Sequence, residues 1–218
     1  YIQSRNKKKI DFIQNKALEL SLFLSLPATI ALLIASDEIT SSLFGYGSFD
    51  EISVKNSANA LFYFALGLPA FSFIKIFSSF LFARHNTKIP FYFSVISVII
   101  NIIISVYYFN KIGFIIIPMA TTISSWFNVV LLLIYLTKKK YYLINLTFIK
   151  SLIKITLSTV LTSYIFYILI NYFSDNLTYN SDYKLLTIIL LVIVTFIIYI
   201  LISILTKAFK ISDIKLKY

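Results

Sequence analysis
The stretch S-F-I-K-I-F-S-S-F-L-F-A-R-H-N-T-K-I-P-F, Ser72 to Phe91, holds the residues best suited to act on a ligand. Lys75 sits inside an apolar run, and the polar knot Arg84-His85-Asn86-Thr87-Lys88 ends that run. At about 100° per residue on a helix, Ala65, Ser72, Lys75, Ser79 and Ala83 fall within roughly 80° of arc, so the lysine shares a face with small residues. Such a face looks into a helix bundle or a wet cavity, because small side chains let helices approach and a lysine avoids lipid. The alternative for Lys75 is to snorkel along its own helix to the headgroups, about 10 Å away at Phe82.

Covalent chemistry is harder to assemble from this chain. His85 is the one histidine; it stands at the end of an apolar run, and a metal site needs more ligands. Glu19 and Asp37 lie at opposite ends of the first apolar segment, which argues against a paired acid and base. Asp37-Glu38 lacks the further carboxylates that would hold magnesium on a pyrophosphate. A Ser-His-Asp set would have to use His85, away from most of the acids. Neutral polar residues form two further stripes at helical spacing: Ser94, Ser97, Asn101 and Ser105, then Thr121, Ser124, Ser125 and Asn128. They read either as packing seams, with hydroxyls bonded back to their own helix, or as the lining of a shared polar interior. Asn101, Ser105 and Thr121 offer oxygens that could help hold a sodium ion, although a hard cation such as calcium takes about six and no carboxylate lies among them.

The elements that must carry these residues are membrane helices. With 59% hydrophobic and 13% charged residues in 218 and a mean hydropathy of +0.85, the chain is too apolar for a soluble domain. Six runs are long enough to cross a bilayer as α-helices: Ala17–Ser36, Ala58–Phe82, Ile89–Phe109, Gly113–Leu136, Ser151–Tyr172 and Leu185–Thr206. The short connections predict a single all-α bundle without a soluble domain. Pro27, Pro69 and Pro118 are expected to kink their spans or to fit a static bend.

Charge orients the bundle. Lysine and arginine gather before the first span (Arg5, Lys7, Lys8, Lys9, Lys16), after the second (Arg84, Lys88), around the fourth connection (Lys138, Lys139, Lys140, Lys150, Lys154) and after the sixth (Lys207, Lys210, Lys215, Lys217). The alternate connections carry Asp37, Glu38, Asp50, Glu51, Asp175 and Asp182, against Lys55, Lys111 and Lys184. The positive-inside rule then puts both termini in the cytoplasm. The net charge of +11 is a topology signal, and its division among short loops disfavours a nucleic-acid partner. Zero cysteines exclude thiol chemistry. A start at Tyr1 without a cleavable leader predicts a piece of a longer polytopic protein, with the rest N-terminal to it.

Two stretches resemble one family. S-L-P-A-T-I-A-L-L-I-A-S-D-E-I-T-S-S-L-F-G-Y-G-S-F, Ser25 to Phe49, is similar to the part of MurJ/MviN lipid II flippases in which a span with an internal Leu-Pro precedes Leu-Phe-x-x-Gly-x-Phe. Gly67 through Lys75 to Pro90 is similar to that family's Gly-Leu … Lys … Phe-Tyr-Ala-Arg-x-Asp-Thr-x-x-Pro, with Asn86 where an acid is usual. The resemblance implies the last six of fourteen spans of a protein of the MOP exporter superfamily, in the bacterial cytoplasmic membrane. Such a protein moves an undecaprenyl-pyrophosphate-linked peptidoglycan precursor, lipid II, from the cytoplasmic to the periplasmic leaflet without covalent chemistry or a cofactor, coupled to membrane potential or sodium. It implies that Lys75, Arg84 and Lys88 meet the anionic headgroup and that the last two spans contribute an apolar groove for the polyprenyl tail. The remaining partners would be membrane lipids and the N-terminal lobe, whose helices hold the family's cavity arginines. The alternatives are another polyprenyl-linked saccharide exporter of the superfamily, or a membrane-bound transferase or scaffold of cell-wall synthesis.

Overall fold
A computed structural model of the chain describes residues 7–208, and side chains from residue 9; Arg5, Lys210, Lys215 and Lys217 lie outside the described residues. Among the described residues eight α-helices follow one another: α1 (Lys7–Ile34), α2 (Ser36–Phe44), α3 (Glu51–Ala65), α4 (Leu68–Phe82), α5 (Lys88–Ile112), α6 (Ile116–Lys138), α7 (Leu146–Tyr172) and α8 (Lys184–Leu205). Among the described residues, four stretches are long and apolar enough to cross a membrane: Lys9–Ile34, Lys88–Lys138, Leu146–Tyr172 and Lys184–Leu205. Glu51–Ala65 with Leu68–Phe82 makes a fifth if the two count as one broken span.

The 51 residues of Lys88–Lys138 would reach about 75 Å as one straight helix, far beyond a hydrocarbon core of about 30 Å. Gly113 turns the chain with φ 77°, a left-handed backbone that glycine adopts without strain. α5 and α6 therefore run antiparallel, joined by Asn101 to Thr121 (3.0 Å) and by the rings of Phe93 and Tyr135 (6.1 Å between centroids).

The expected second span, Ala58–Phe82, is not one helix: it breaks at Leu66–Gly67. Pro69, second residue of α4, has no N–H to donate and its ring would crowd the carbonyl four residues back, so a helix can start there but not run through. Pro90 and Pro118 are likewise third residues of α5 and α6, where backbone donors have no intrahelical partner. Only Pro27 lies well inside a helix.

The chain divides into two compact units, one holding the sequence up to Ser25 with Leu66–Ile149, the other Leu26–Ala65 with the sequence from Lys150. The first is built on α4, α5, α6 and the start of α1, and its core joins Leu18, Phe77, Phe80, Leu81, Leu132, Leu136 and Tyr142. The Cβ of any residue larger than glycine at position 67 would stand 2.7 Å from Phe71 and 3.0 Å from Thr122 Oγ1, so Gly67 sets how closely α4 meets α6. Trp126 Nε1–H donates across the same contact to Leu66 O (3.1 Å).

The second unit is built on α2, α3, α7 and α8, with Ala35, Phe166, Ile170, Leu177, Ile188 and Leu191 at its core. Its α8 is apolar on the outside and part polar on the inside. Lys184, Thr187, Ile188, Leu191, Thr195, Tyr199 and Ser203 are buried at helical spacing, while Leu186, Ile189, Leu190, Ile193, Phe196, Ile197 and Leu201 are exposed. α7 repeats the pattern with Ser158, Thr159 and Thr162 inside and Leu157, Val160, Leu161 and Ile168 outside. Water would not tolerate such an exterior, and lipid does.

Candidate functional site
The three cations singled out above have different fates. Lys75 lies midway along α4, exposed, and its ammonium makes no hydrogen bond or ion pair among the described residues. Ser79, one turn on, donates instead to the Lys75 backbone carbonyl (2.8 Å). Lys88 opens α5 and is also exposed.

Arg84 is half-buried and occupied. Its guanidinium donates to Phe80 O (2.6 Å) and Tyr141 O (3.0 Å) and lies 4.6 Å from the centre of the Tyr141 ring. Burial lowers its pKa, against the pull of Tyr141 and Asp11. The residue thus clasps the end of α4 to the loop after α6, with fewer donors left for an anion. The neighbouring turn is held by similar means. His85 takes φ 56°, Asn86 Nδ2–H donates to Tyr135 Oη (3.2 Å) and Asn86 Oδ1 accepts from Ile89 N–H (3.3 Å). Beside the clasp, the buried Tyr142 donates its hydroxyl to Asn15 Oδ1 (3.1 Å). Burial, with a smaller effect of the Glu19 charge, pushes its pKa up to about 12.

The neutral stripes are mostly satisfied within their own helices. Ser79, Ser97, Ser124 and Ser125 donate to carbonyls three or four residues back. Asn101 and Thr121 are brought together, with Asn101 Nδ2–H donating to Thr121 Oγ1 (3.0 Å) and Thr121 Oγ1–H donating to Ile117 O (2.8 Å). Ser105 follows Asn101 by one turn of α5, and its buried Oγ has no partner; the same is true of Asn128 Oδ1 on α6. A pair of oxygens and one open hydroxyl are fewer than a hard cation takes. No group of three His, Cys, Asp or Glu able to hold a metal occurs among the described residues.

Lys184 is the cation that sequence reasoning misplaced, as one more charge of an outer loop. It is 2% exposed. Its Nζ donates to Gly45 O and Tyr179 O (both 2.6 Å) and lies 4.3 Å and 4.7 Å from the ring centres of Tyr46 and Tyr179. The only signal was the surrounding Tyr46, Tyr179 and Tyr183, and nothing in the order of residues ties Gly45 to Lys184.

Comparison with known proteins adds a family. The family model described as "Lipid II flippase MurJ" matches residues 1–187. Over 179 residues the chain is 35% identical to "Probable lipid II flippase MurJ" of Rickettsia prowazekii (strain Madrid E), covering 82% of this chain and 35% of that protein. It is 27% identical over 173 residues to "Lipid II flippase MurJ" of Thermosipho africanus (strain TCF52B), covering 79% and 34%. The solved structure "Lipid II flippase MurJ, inward closed conformation" matches with a TM-score of 0.74 and 25% identity, over 94% of this chain and 41% of that one. The chain thus spans about a third of the length of these curated relatives.

Proposed function
The chain belongs to the lipid II flippase MurJ family, and we propose that it forms the C-terminal part of a transporter that moves lipid II from the cytoplasmic to the periplasmic leaflet. It is a multi-pass protein of the bacterial cytoplasmic membrane. The observation that carries the reading within this chain is Lys75, an exposed, unpaired ammonium in a helix that is otherwise nearly all apolar. A charge at such a depth is expensive unless it faces a bundle interior or a ligand. The substrate is an undecaprenyl pyrophosphate bearing sugars: its anion is attracted to Lys75 and, at the cytoplasmic rim, to Lys88, with Arg84 shaping the rim through its clasp. The exposed apolar faces of α7 and α8 suit a polyprenyl tail. No bond in the substrate is made or broken, so the chain needs no catalytic group.

The same reading orders the topology. Six crossings, namely α1, the broken α3–α4 pair, α5, α6, α7 and α8, place the basic loops on one side and Asp37 through Lys55 on the other, with both termini cytoplasmic. These 218 residues hold no cysteine; single cysteines introduced at Ser48 and Lys139, in an intact protein with any cysteine outside them replaced, should be labelled from opposite sides by an impermeant thiol reagent. Labelling from one side would sink the topology.

The function is tested with the intact protein that carries this chain, expressed in a bacterium depleted of its own flippase. Lipid II should become accessible in the outer leaflet on induction. Residues 1–218 alone should not restore it, because alternating access needs a second lobe to rock against. Repeating the assay with sodium replaced by potassium tests coupling at Asn101, Ser105 and Thr121; a rate that does not change removes sodium from the mechanism.

A further inference from the structure
A cavity of about 220 Å³ lies where α2, α3 and the loop after α7 meet, all within the second unit. Val54, Leu177 and Tyr179 supply its apolar walls, and Asp37, Glu38, Glu51 and Lys55 supply its charge. Three carboxylates thus face one ammonium, and that ammonium is already committed, since Lys55 Nζ lies 2.6 Å from Asp37 Oδ2. Glu38 and Glu51 have no ion pair among the described residues. Burial, with a further push from the Asp37 charge, holds the Glu38 carboxyl above the usual carboxylate range. An independent sign comes from Ser41, which also lines the cavity. It is 6% exposed, and its Oγ has no hydrogen-bond partner. A native protein seldom leaves such a hydroxyl empty unless water or a ligand completes it.

We propose that this cavity binds a small organic cation, its ammonium held by Glu38, Glu51 and the Ser41 hydroxyl and its apolar stem packed on Val54, Leu177 and the Tyr179 ring. An ammonium offers three donors and no acceptor, which is the complement of two unpaired carboxylates and an open hydroxyl oxygen. A bare metal ion fits less well, because part of the wall is apolar, Asp37 is committed to Lys55, and no group of three His, Cys, Asp or Glu able to hold a metal occurs among the described residues. At about 30 Å³ per water the volume equals roughly seven waters, enough for an amine of that number of heavy atoms. The same chemistry is carried by a free amine and by the ethanolamine headgroup of a membrane lipid. The site is built only from residues of the second unit, whereas Lys75, Lys88 and Arg84 belong to the first, so its failure would leave the transport reading untouched.

The test uses the intact protein in detergent free of amine lipids, titrated with 4-fluorobutylamine, whose heavy atoms fit that volume, and followed by fluorine NMR line broadening. The neutral 4-fluorobutan-1-ol should bind at least about tenfold more weakly, the equivalent of about 1.4 kcal/mol. Glu38→Gln should weaken amine binding by a similar factor, and Ser41→Ala by two- to threefold or so. Glu51→Gln serves as the variant safe for folding, because Glu51 is exposed. Binding should be full between the raised Glu38 pKa and the pH at which the amine itself loses its proton, and fade as pH falls through the first. Of the groups facing Glu38, Asp37 adds negative charge, Lys55 from α3 opposes it, Glu51 sits across the cavity, and Lys184 is held behind Tyr179. Nanodiscs separate the two sources: weaker amine binding in phosphatidylethanolamine than in phosphatidylcholine, which has the same net charge but no N–H donor, identifies a competing headgroup, and equal binding identifies a soluble amine. Equal affinity for amine and alcohol, or amine binding unchanged in both carboxamide variants, would overturn the site.

Discussion

Lys184→Met should lower the stability of the folded protein by about 3 kcal/mol, a large effect for the loss of one polar group. The Lys184 ammonium makes two hydrogen bonds to carbonyls and lies over two tyrosine rings while 2% exposed. A charge-assisted hydrogen bond contributes about 1.5–3 kcal/mol and a desolvated cation–π contact about 2. Burying the charge offsets part of that sum. Methionine keeps the stem but strands the Gly45 and Tyr179 carbonyls, at about 1–3 kcal/mol each if buried. The cage also ties distant segments together, since Ser42 Oγ–H donates to Lys184 O (3.2 Å) and Tyr179 Oη–H donates to Phe49 O (2.9 Å).

Two companions make the result diagnostic. Gly45→Ala should be nearly as harmful, because its Cβ would stand 2.7 Å from the Ser41 backbone carbonyl and 3.3 Å from Lys184 Nζ. A carbonyl fixed in α2 cannot retreat as a flexible side chain can. Lys55→Met is the control. It removes an ion pair of the same 2.6 Å length, but the partners are 63% and 48% exposed, where such pairs contribute at most about 1 kcal/mol. Thermal melts of the purified intact protein in detergent should therefore rank Lys184→Met and Gly45→Ala well below Lys55→Met. Equal melting temperatures for the two lysine variants would show that the cage contributes no more than a surface pair.

Lys75 carries the second large effect, on transport rather than on folding. If its ammonium meets the pyrophosphate, Lys75→Ala or Lys75→Glu in the intact protein should slow flipping about tenfold or more, since a hydrogen bond to a charged group is worth about 1.5–3 kcal/mol. Lys75→Arg should be milder because it keeps the charge. If the side chain only snorkels, Lys75→Leu removes an insertion cost of up to about 3 kcal/mol and should be harmless or stabilising. Outer-leaflet lipid II accessibility, normalised to the amount of membrane-inserted protein, separates these cases. Full flipping by a well-inserted Lys75→Leu variant would leave Lys88 as the cation for the headgroup, since Arg84 is engaged by Phe80 and Tyr141.

Bilayer residence, the helical class and the family were all legible in the sequence by itself, for local reasons. A chain in hydrocarbon must satisfy its own backbone within each helix, so the length and apolarity of a run announce a span without reference to any other part of the molecule. Gly113 and Pro69 are local signals too, although the break at Leu66–Gly67 was read as a kink inside one span, because hydropathy does not register a two-residue interruption between apolar segments. The short helix α2 was hidden for the opposite reason: Ser36–Phe44 is too polar and too short to look like a span.

What the tertiary structure alone decided is the fate of each polar group. Lys75, Arg84 and Lys184 are all cations at or near span ends or within spans, yet one is unpaired, one clasps two carbonyls and one is sealed in a cage. Their partners come from elsewhere in the chain: Tyr141 lies 57 residues from Arg84 and Gly45 lies 139 from Lys184. The value of a charge in a protein depends on how much water it loses and which dipoles replace that water. Both are properties of packing, so residue order could place these cations along the chain but not distinguish the one left open to a ligand from the two that hold the fold.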